Sequence, residues 1–310
     1  MTSTKLPQIS VVIPAFNAGK YISSCLESVL AQTFSDLEVV IVDDGSTDNT
    51  LEIISACADD RVRLYTQANS GSAAARNKGV QEARGEWIAF IDADDIWAPE
   101  KLEKQLTTCQ DKVWSHTDSY YIGGVYAKNT KASDLCRKHA GDVFEELLVE
   151  NSVGTSCVMI KKTCFDEFAG FDTSYRALQD WGLWLRVASK YPIGYCDEPL
   201  VSYRVHTGST SRSTRKTLPF HVSLIEHTFS PAGVAYEHQQ LKSRALAKSY
   251  GICSYISEQE GDFSFACYCA AKSLFCRPLT ASAYLRFAKI CAKSLIHYLQ
   301  SPFRRGSSPA

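Results

Sequence analysis

The first hundred residues alternate between two hydrophobic patterns. Continuous apolar runs of strand length occur at residues 8–13, 37–42, 62–66 and 86–91. Between these runs, apolar residues recur with helical spacing, which predicts helices over residues 18–31, 48–57 and 71–83. Strands and helices that alternate in this way form βαβ units with right-handed crossovers. The pattern therefore predicts an α/β fold with a mainly parallel sheet and flanking helices.

Polar residues directly follow three of these apolar runs. Pro14 is expected to end the first strand, because proline has no N–H to donate within a sheet. The three polar clusters are Pro14-Ala15-Phe16-Asn17, Asp43-Asp44-Gly45-Ser46 and Asp92-Ala93-Asp94-Asp95. Ligands of open α/β sheets bind beyond the carboxyl ends of the strands. We therefore expect the three clusters to meet at one site.

The rest of the chain is less regular and then becomes helical. Short strands are predicted at residues 113–117, 156–160, 193–196 and 199–204, with a helix at 178–190. Residues 245–278 have the pattern of a helical-hairpin repeat. We divide the chain into a domain of residues 1–212 with halves 1–110 and 111–212, a helical region 213–303 and a disordered tail 304–310.

Composition narrows the functional class. The 310 residues carry a net charge of −1, which argues against a nucleic-acid partner. The 12 cysteines are scattered without a CxxC pair, so we expect reduced, mostly buried thiols. We recognise neither a signal peptide nor an apolar run of spanning length, and expect a cytoplasmic protein.

The acidic cluster after the fourth strand is the strongest chemical signal. In an extended segment Asp92 and Asp94 point the same way, so both carboxylates can face one ligand. A divalent cation such as Mg²⁺ or Mn²⁺ offsets their repulsion and also binds substrate phosphates. The alternative is a solvated turn in which Asp95 caps the next helix.

The other candidate residues also have two readings each. Phe16 can stack on a nucleobase or be an ordinary core aromatic. Asp43 and Asp44 can accept hydrogen bonds from a base or ribose, or form a turn and helix cap. Arg76 suits a phosphate or base edge, or a surface salt bridge. His206 can be a metal or diphosphate contact, or a structural histidine.

Three stretches, in this order, resemble glycosyltransferase family 2, the inverting transferases with a GT-A fold. They are IPAFNAGKYISSCLESVLAQTFSDLEVVIVDDGSTDNT, NSGSAAARNKG and GEWIAFIDADDIWAPEKL, and YRVHTGSTS at 203–211 also matches. The resemblance covers residues 8–210. It implies a nucleotide-sugar donor, usually a UDP-sugar, and a divalent cation, Mn²⁺ or Mg²⁺. It also implies that residues 1–110 bind the nucleotide, and that residues 111–212 hold the acceptor and the base.

The resemblance also implies roles for individual residues. Donor contacts are expected from Pro14, Ala15, Phe16, Asp43, Asp44, Arg76, Asp92, Ala93 and Asp94. Asp44 is expected to bond to the base and Asp92 to lie near the ribose. Asp94 is expected to hold the metal, with His206 as a further ligand.

Asp180, in LQDWGLWLRVA at 178–188, is the expected catalytic base. Gln179-Asp180 stands where the family commonly has Glu-Asp. Apolar neighbours can raise the pKa of Asp180, which suits a group that must accept a hydroxyl proton. The alternative is that Asp180 only caps this helix. Further phosphate or acceptor contacts are expected from Asp95, Gln179, Trp181 and Arg204.

These features predict a metal-dependent inverting glycosyltransferase. It would move a sugar to a hydroxyl of a glycan or lipid-linked acceptor, in polysaccharide or glycoconjugate biosynthesis. One alternative is a nucleotidyltransferase, although IPAFNAG is not the Gly-rich basic loop expected there. Another is an inactive protein that only binds sugar nucleotides or glycans.

The C-terminal region is basic. After Asp262 the sequence has no acidic residue but seven Lys or Arg residues. Residues 282–305 are expected either to contact the cytoplasmic face of a membrane peripherally or to pack on the catalytic domain with a basic outer face.

Overall fold

The computed structural model describes residues 6–109, 111–124, 126–206, 208–209, 212–278 and 281–300, without the side chains of 281–283 and 296–300. The chain folds into two compact units. The first comprises Met1–Leu147 and Asn151–Thr207, and the second comprises Leu148–Glu150 and Gly208–Ala310. The predicted tail, 304–310, lies outside the described residues.

Within the described residues, eight strands form one sheet in the order β3-β2-β1-β4-β7-β6-β8-β5. They are β1 Ile9–Ala15, β2 Leu37–Asp43, β3 Val62–Thr66, β4 Trp87–Phe90, β5 Ile96–Trp97, β6 Trp114–Gly123, β7 Met159–Lys161 and β8 Gly194–Val205. Strands β3, β2, β1 and β4 are parallel, as are β6 and β8. Strand β7 is antiparallel to its neighbours β4 and β6, and β5 is antiparallel to β8. The α/β prediction is confirmed, with a mixed sheet.

The prediction that Pro14 ends the first strand is wrong, because β1 continues to Ala15. Pro14 lies opposite Val42 of β2, whereas the pairing of β1 with β4 stops at Val12. The missing N–H of Pro14 therefore removes no hydrogen bond to β4.

Helices cover the sheet. Those that begin in the first unit are α1 Ile22–Leu30, α2 Thr50–Ser55, α3 Ser72–Glu82, α4 Lys101–Thr108, α5 Ala132–Leu135, α6 Phe144–Val149, α7 Lys162–Glu167 and α8 Gln179–Ala188. The predicted apolar stripe of α1 is buried against the sheet. In α3, a Cβ on Gly79 would lie 2.5 Å from Val12 Cγ1, so this helix packs closely on β1. That contact fixes Arg76, one turn earlier, near the strand ends.

Two strand predictions in the second half differ from the structure. Residues 194–205 form one strand rather than two, because a register shift in the pairing with β6 accommodates Pro199. The segment predicted as a strand at 156–160 begins in a 3-10 turn, Thr155–Cys157, before β7.

The second unit is helical, with α9 Thr214–Thr228, α10 Gln239–Gln259, α11 Phe263–Cys276 and α12 Ala281–Gln300. Helices α10 and α11 form the predicted hairpin around Gly261, whose φ is +77°. Asp262 caps α11 by accepting a hydrogen bond from the N–H of Phe265 at 3.2 Å. No helix in the described part of the chain is long and apolar enough to span a bilayer.

Lys101, at the start of α4, has a fully buried amine. Its Nζ lies 3.8 Å from the centroid of the Trp97 ring and has no hydrogen-bond partner among the described residues. Burial lowers the pKa of Lys101 from 10.5 to about 7. The folded protein therefore binds fewer protons than the unfolded chain between about pH 7 and 10.5, and the free-energy cost that buried Lys101 adds to folding decreases as the pH rises through this window.

Replacing Lys101 with Met should stabilise the protein. We expect Lys101→Met to raise the free energy of unfolding by roughly 2 kcal/mol at pH 7, because a buried unpaired ammonium is replaced by an apolar chain of similar length. The gain should shrink between pH 7 and 9, as measured by urea unfolding at both values. Lys104→Met, on the exposed side of the same helix, should change stability little. A loss of stability in Lys101→Met, or a gain that does not depend on pH, would contradict this account.

Candidate active site

The segment after β4 presents two carboxylates on one side. Exposure alternates along it: the side chains of Asp92 and Asp94 are each 30% exposed, whereas Ala93 and Asp95 are buried. The two partly exposed acids therefore face solvent together, as the extended geometry predicts. The methyl group of Ala93 faces the core, so only its main chain can contact a ligand.

Arg76 holds Asp92. Its Nη2 lies 2.5 Å from Asp92 Oδ1, and the guanidinium lies over the ring of Phe171. Arg76 is buried rather than part of a surface salt bridge, and its Nε has no hydrogen-bond partner among the described residues. A buried cation with an unused donor at the strand ends is suited to an anionic ligand.

Asp94 pairs with His206. His206 Nε2 lies 2.9 Å from Asp94 Oδ2, and the imidazole lies 5.0 Å from the ring of Tyr21. Burial and the nearby charge of Asp92 raise the pKa of Asp94, and the hydrogen bond from His206 opposes this rise. Arg204 Nε donates to the carbonyl of Asp94 at 2.8 Å, so Arg204 supports the loop from behind.

Asp95 has a structural role, and the phosphate or acceptor contact expected of it stays a prediction. The residue is fully buried. Its Oδ1 accepts from the N–H of Arg204 at 2.8 Å, and its Oδ2 accepts from Ser156 Oγ at 2.5 Å. These bonds leave Asp95 inside the protein, where it anchors the loop to β8. It does not cap α4, which begins six residues later at Lys101.

The two acids after β2 have different environments. Asp44 is buried and accepts three hydrogen bonds, from Gln67 Nε2 and from the N–H groups of Ser70 and Gly71, each at 2.8 Å. Asp43 is also buried; its Oδ2 accepts from the N–H of Ser46, but Oδ1 has no partner among the described residues. Asp44 therefore shapes the 67–71 loop, whereas Asp43 retains an unused acceptor. We therefore expect Asp43, rather than Asp44, to accept the hydrogen bond from the base.

The end of β1 carries an exposed aromatic ring. Phe16 is 48% exposed, so it is not a core residue and its ring is available for stacking. Ala15 is buried and its carbonyl accepts from the N–H of Asp44 at 2.8 Å, which joins the ends of β1 and β2. Pro14 is partly buried between them.

Asp180 lies in the first turn of α8. Asn151 Nδ2 and Thr155 Oγ1 both donate to its Oδ2 at 3.2 Å. Burial raises its pKa, opposed by these bonds, by the N–H of Trp181 and by the positive charge of Arg76. Thr155 bonds to Asp180 and the adjacent Ser156 bonds to Asp92 and Asp95, so Asp180 lies near the acidic loop. The helix is capped at Leu178, so Asp180 is not the cap.

The neighbours of Asp180 hold the start of α8. Gln179 Nε2 donates to Ser72 Oγ at 2.7 Å, which ties α8 to the start of α3. Leu178 adopts a left-handed φ of +62°, an uncommon conformation for leucine that often occurs at functional sites. Trp181 is 1% exposed and its ring N–H donates to the carbonyl of Leu147, so the structure shows it as a core residue, and the substrate contact expected of it stays a prediction.

The donor set for a cation is small. Among the described residues, no cluster of three or more His, Cys, Asp or Glu side chains could hold a metal. Asp94 and His206 form a pair, and both side chains are partly exposed. Mg²⁺ usually keeps several waters and binds one or two carboxylates together with substrate phosphates. The pair therefore fits a cation whose remaining ligands are water and substrate phosphates.

Three further residues support the acidic loop and Asp180, and the sequence motifs do not include them. Ser156 Oγ accepts from the N–H of Asp92 and donates to Asp95, while the adjacent Thr155 bonds to Asp180. Tyr21 lies under the guanidinium of Arg204 and beside His206. Tyr21 directly precedes α1 and lies outside its apolar stripe, so the sequence already indicates that its ring is not part of the core. No sequence pattern identifies Thr155 and Ser156, because their contacts depend on the 3-10 turn that they form.

Comparisons with known proteins define the family. The model of glycosyl transferase family 2 matches residues 10–163. An uncharacterized glycosyltransferase of Nostoc sp. is 49% identical over 79% of this chain and 77% of its own length. A putative teichuronic acid biosynthesis glycosyltransferase of Bacillus subtilis, TuaG, is 33% identical over 70% of this chain and 86% of its own length. The chain spans about a third of the length of three Rickettsia relatives that it matches, from R. felis, R. conorii and R. bellii, and the R. felis protein is 35% identical.

Solved structures share the fold. S. aureus TarS 1–349 in complex with UDP-GlcNAc has a TM-score of 0.63 and 17% identity, covering 96% of this chain and 93% of that one. A mannosyltransferase from Pyrobaculum calidifontis in complex with GDP-Man and Mn²⁺ has a TM-score of 0.57 and 18% identity, covering 96% and 89%. These likenesses confirm the predicted GT-A fold. The chain belongs to glycosyltransferase family 2.

Proposed function

We propose that this protein is a metal-dependent inverting glycosyltransferase that uses a nucleotide-sugar donor. The observation that carries the proposal is the pair of unused buried polar atoms at the strand ends, Asp43 Oδ1 and Arg76 Nε. Buried polar atoms are normally hydrogen-bonded, so an orphaned acceptor and donor at such an edge indicate ligand contacts. A base offers a donor to Asp43, and a diphosphate offers acceptors to Arg76.

The base of the reaction is Asp180. Its Oδ2 is held by Asn151 and Thr155, which fixes the carboxylate while Oδ1 can accept the proton of the acceptor hydroxyl. The deprotonated oxygen then attacks the anomeric carbon from the side opposite the diphosphate, and the configuration inverts. Arg76 lowers the energy of the negative charge that develops on the leaving phosphate.

A divalent cation would be held by Asp94 and His206. When bound, it neutralises charge on the diphosphate and makes the nucleotide a better leaving group. The repulsion between Asp92 and Asp94, which contributes to the raised pKa of Asp94, supports this assignment because a cation would relieve it. The bound Mn²⁺ in the mannosyltransferase complex also supports it.

We assign a UDP-sugar as donor and a hydroxyl of a glycan or lipid-linked molecule as acceptor. The bound UDP-GlcNAc of TarS supports the first assignment, and the similarity to TuaG, a putative teichuronic acid biosynthesis glycosyltransferase, supports a role in polysaccharide biosynthesis. Stacking of the base on Phe16 is compatible with any nucleotide. Discrimination between nucleotides therefore rests on the hydrogen bond to Asp43.

Nucleotide binding tests the proposal. We expect UDP with Mn²⁺ to raise the melting temperature more than GDP or TDP, and UDP without Mn²⁺ to have a smaller effect. Asp43→Asn should weaken UDP binding about tenfold, because it loses a hydrogen bond to a buried carboxylate. Asp60→Asn, on an exposed acid in the loop before β3, is the matched control. Absence of a shift with any nucleotide at millimolar concentration would overturn the donor assignment, and equal binding by Asp43→Asn would overturn the role of Asp43.

A further inference from the structure

Helix α12 exposes a row of apolar side chains. Leu285 is 74% exposed and Leu295 is 59% exposed, and Ala288 and Ala292 between them are also exposed. At 100° per residue these four positions lie within one quarter of the helix circumference. Tyr284, 54% exposed, borders the same row. Exposed leucines aligned along a helix are characteristic of a surface that binds something.

The other side of α12 already has its packing partner within the second unit. Ile290 is fully buried in a cluster with Ala266 and Ala270 of α11, and Phe287 packs against this cluster. The exposed row is therefore a separate face and is not needed to hold α12 on α11.

Basic residues border the exposed row. Lys289 is exposed beside it, and Lys293 and Arg286 follow on the same flank. Lys293 and Arg286 share a single carboxylate, that of Glu258, at 2.6 and 3.3 Å, so this flank keeps a net positive charge. No acidic residue follows Asp262 in the sequence, so nothing within α12 offsets this charge.

The end of α11 has the same combination of groups. Phe275 is 86% exposed, which makes it the most exposed of the large apolar side chains among the described residues. Lys272 and Arg277 lie within one turn of it and are also exposed. An exposed aromatic ring with adjacent cations is typical of residues that insert at a lipid headgroup boundary.

We propose that the exposed row of α12, together with Phe275, binds the surface of an anionic phospholipid bilayer. The apolar side chains would enter the boundary between headgroups and acyl chains, and the cations would contact lipid phosphates. Positive charge without acids complements anionic lipid. The attachment is peripheral, since no helix in the described residues can span a bilayer. It would bring the enzyme to acceptors that are linked to lipid.

Co-sedimentation of the full chain with vesicles tests this inference. We expect binding at low salt to vesicles of phosphatidylcholine with 30% phosphatidylglycerol, and weak binding to phosphatidylcholine alone. Leu285→Ser should weaken binding about tenfold, because the variant loses the free energy gained when the leucine side chain moves from water into the bilayer. Lys289→Glu should weaken it at least fivefold, because it replaces one attraction to the anionic surface by a repulsion. Both sites are exposed, so neither variant is expected to unfold the protein.

Matched controls distinguish vesicle binding through this face from non-specific adsorption. Leu135→Ser changes an exposed leucine of α5, and Lys128→Glu changes an exposed lysine; neither should alter vesicle binding. Binding to no vesicle at low salt would overturn the proposal, as would equal loss in the controls. If the chain self-associates in solution and Leu285→Ser makes it monomeric without altering vesicle binding, the row is an interface between copies and the proposal is wrong. Vesicle binding requires no sugar transfer, so this result is independent of the proposed activity.

Discussion

Asp180→Asn should lower the rate of sugar transfer about a thousandfold while the binding of the nucleotide changes little. The amide has nearly the same shape and keeps a hydrogen bond to Asn151 or Thr155, but it cannot accept the proton of the acceptor hydroxyl. General-base catalysis contributes roughly 10²–10⁴ to enzymatic rates. The measurement is kcat for transfer, with the melting temperature in UDP and Mn²⁺ as the check on donor binding.

The pH profile provides a second readout for Asp180. Burial raises its pKa, so the active carboxylate form is lost at a higher pH than for an exposed aspartate. The rate of the wild type should therefore fall on the acidic side as Asp180 becomes protonated, and this limb should be absent from the residual rate of Asp180→Asn. Asp166→Asn, on an exposed acid of α7, should retain both the rate and the limb. A fully active Asp180→Asn would remove Asp180 as the base.

Asp94→Asn should also lower the transfer rate about a thousandfold, but for a different reason. The variant loses the charge that would hold the cation beside the diphosphate, and such stabilisation of a leaving group is worth several kcal/mol. We expect the loss in single-turnover transfer, together with a higher Mn²⁺ concentration for half-maximal rate. A variant with normal Mn²⁺ dependence would contradict the metal role.

The same variant should be no less stable than the wild type when Mn²⁺ is absent. Burial and the charge of Asp92 disfavour a second negative charge at Asp94, so an uncharged amide relieves this repulsion. A melting temperature in EDTA that equals or exceeds that of the wild type would show that the carboxylate is retained for function. Asp111→Asn, at an exposed acid after α4, should change neither the rate nor the response to Mn²⁺.

The strand-end acids could be located from sequence because their physical signal is local. An apolar strand followed by carboxylates, repeated along βαβ units, fixes which edge of the sheet is polar. Asp92 and Asp94 could be assigned to one side from the period of extended chain alone, and the alternating exposure matches that assignment. The distinction between Asp43 and Asp44 could not, because it depends on how the 67–71 loop folds back.

The differences between the sequence-based expectations and the structure also have physical causes. Trp181, Trp184 and Leu185 form one buried apolar stripe of α8. This spacing predicts a core position for Trp181, whereas the substrate contact is expected only because Trp181 is adjacent to Asp180 in the sequence. Strand β6 is the reverse case: Ser115, His116 and Asp118 are polar, yet all are buried in the sheet. No hydrophobic period marks such a strand, so its full length is set by pairing with β7 and β8.

The adjacent residues Thr155 and Ser156 have a practical consequence for hybrid enzymes. The hydroxyl of Thr155 bonds to Asp180, the proposed base, and that of Ser156 bonds to the main chain of Asp92 and to Asp95, so one dipeptide fixes both segments relative to each other. A chimera that exchanges residues 111–212, the proposed acceptor half, for those of a relative would replace this dipeptide, and we expect the introduced counterpart of Asp180 to be misplaced relative to Asp92 and Asp94. A chimera of this kind should therefore keep Thr155 and Ser156 of this protein.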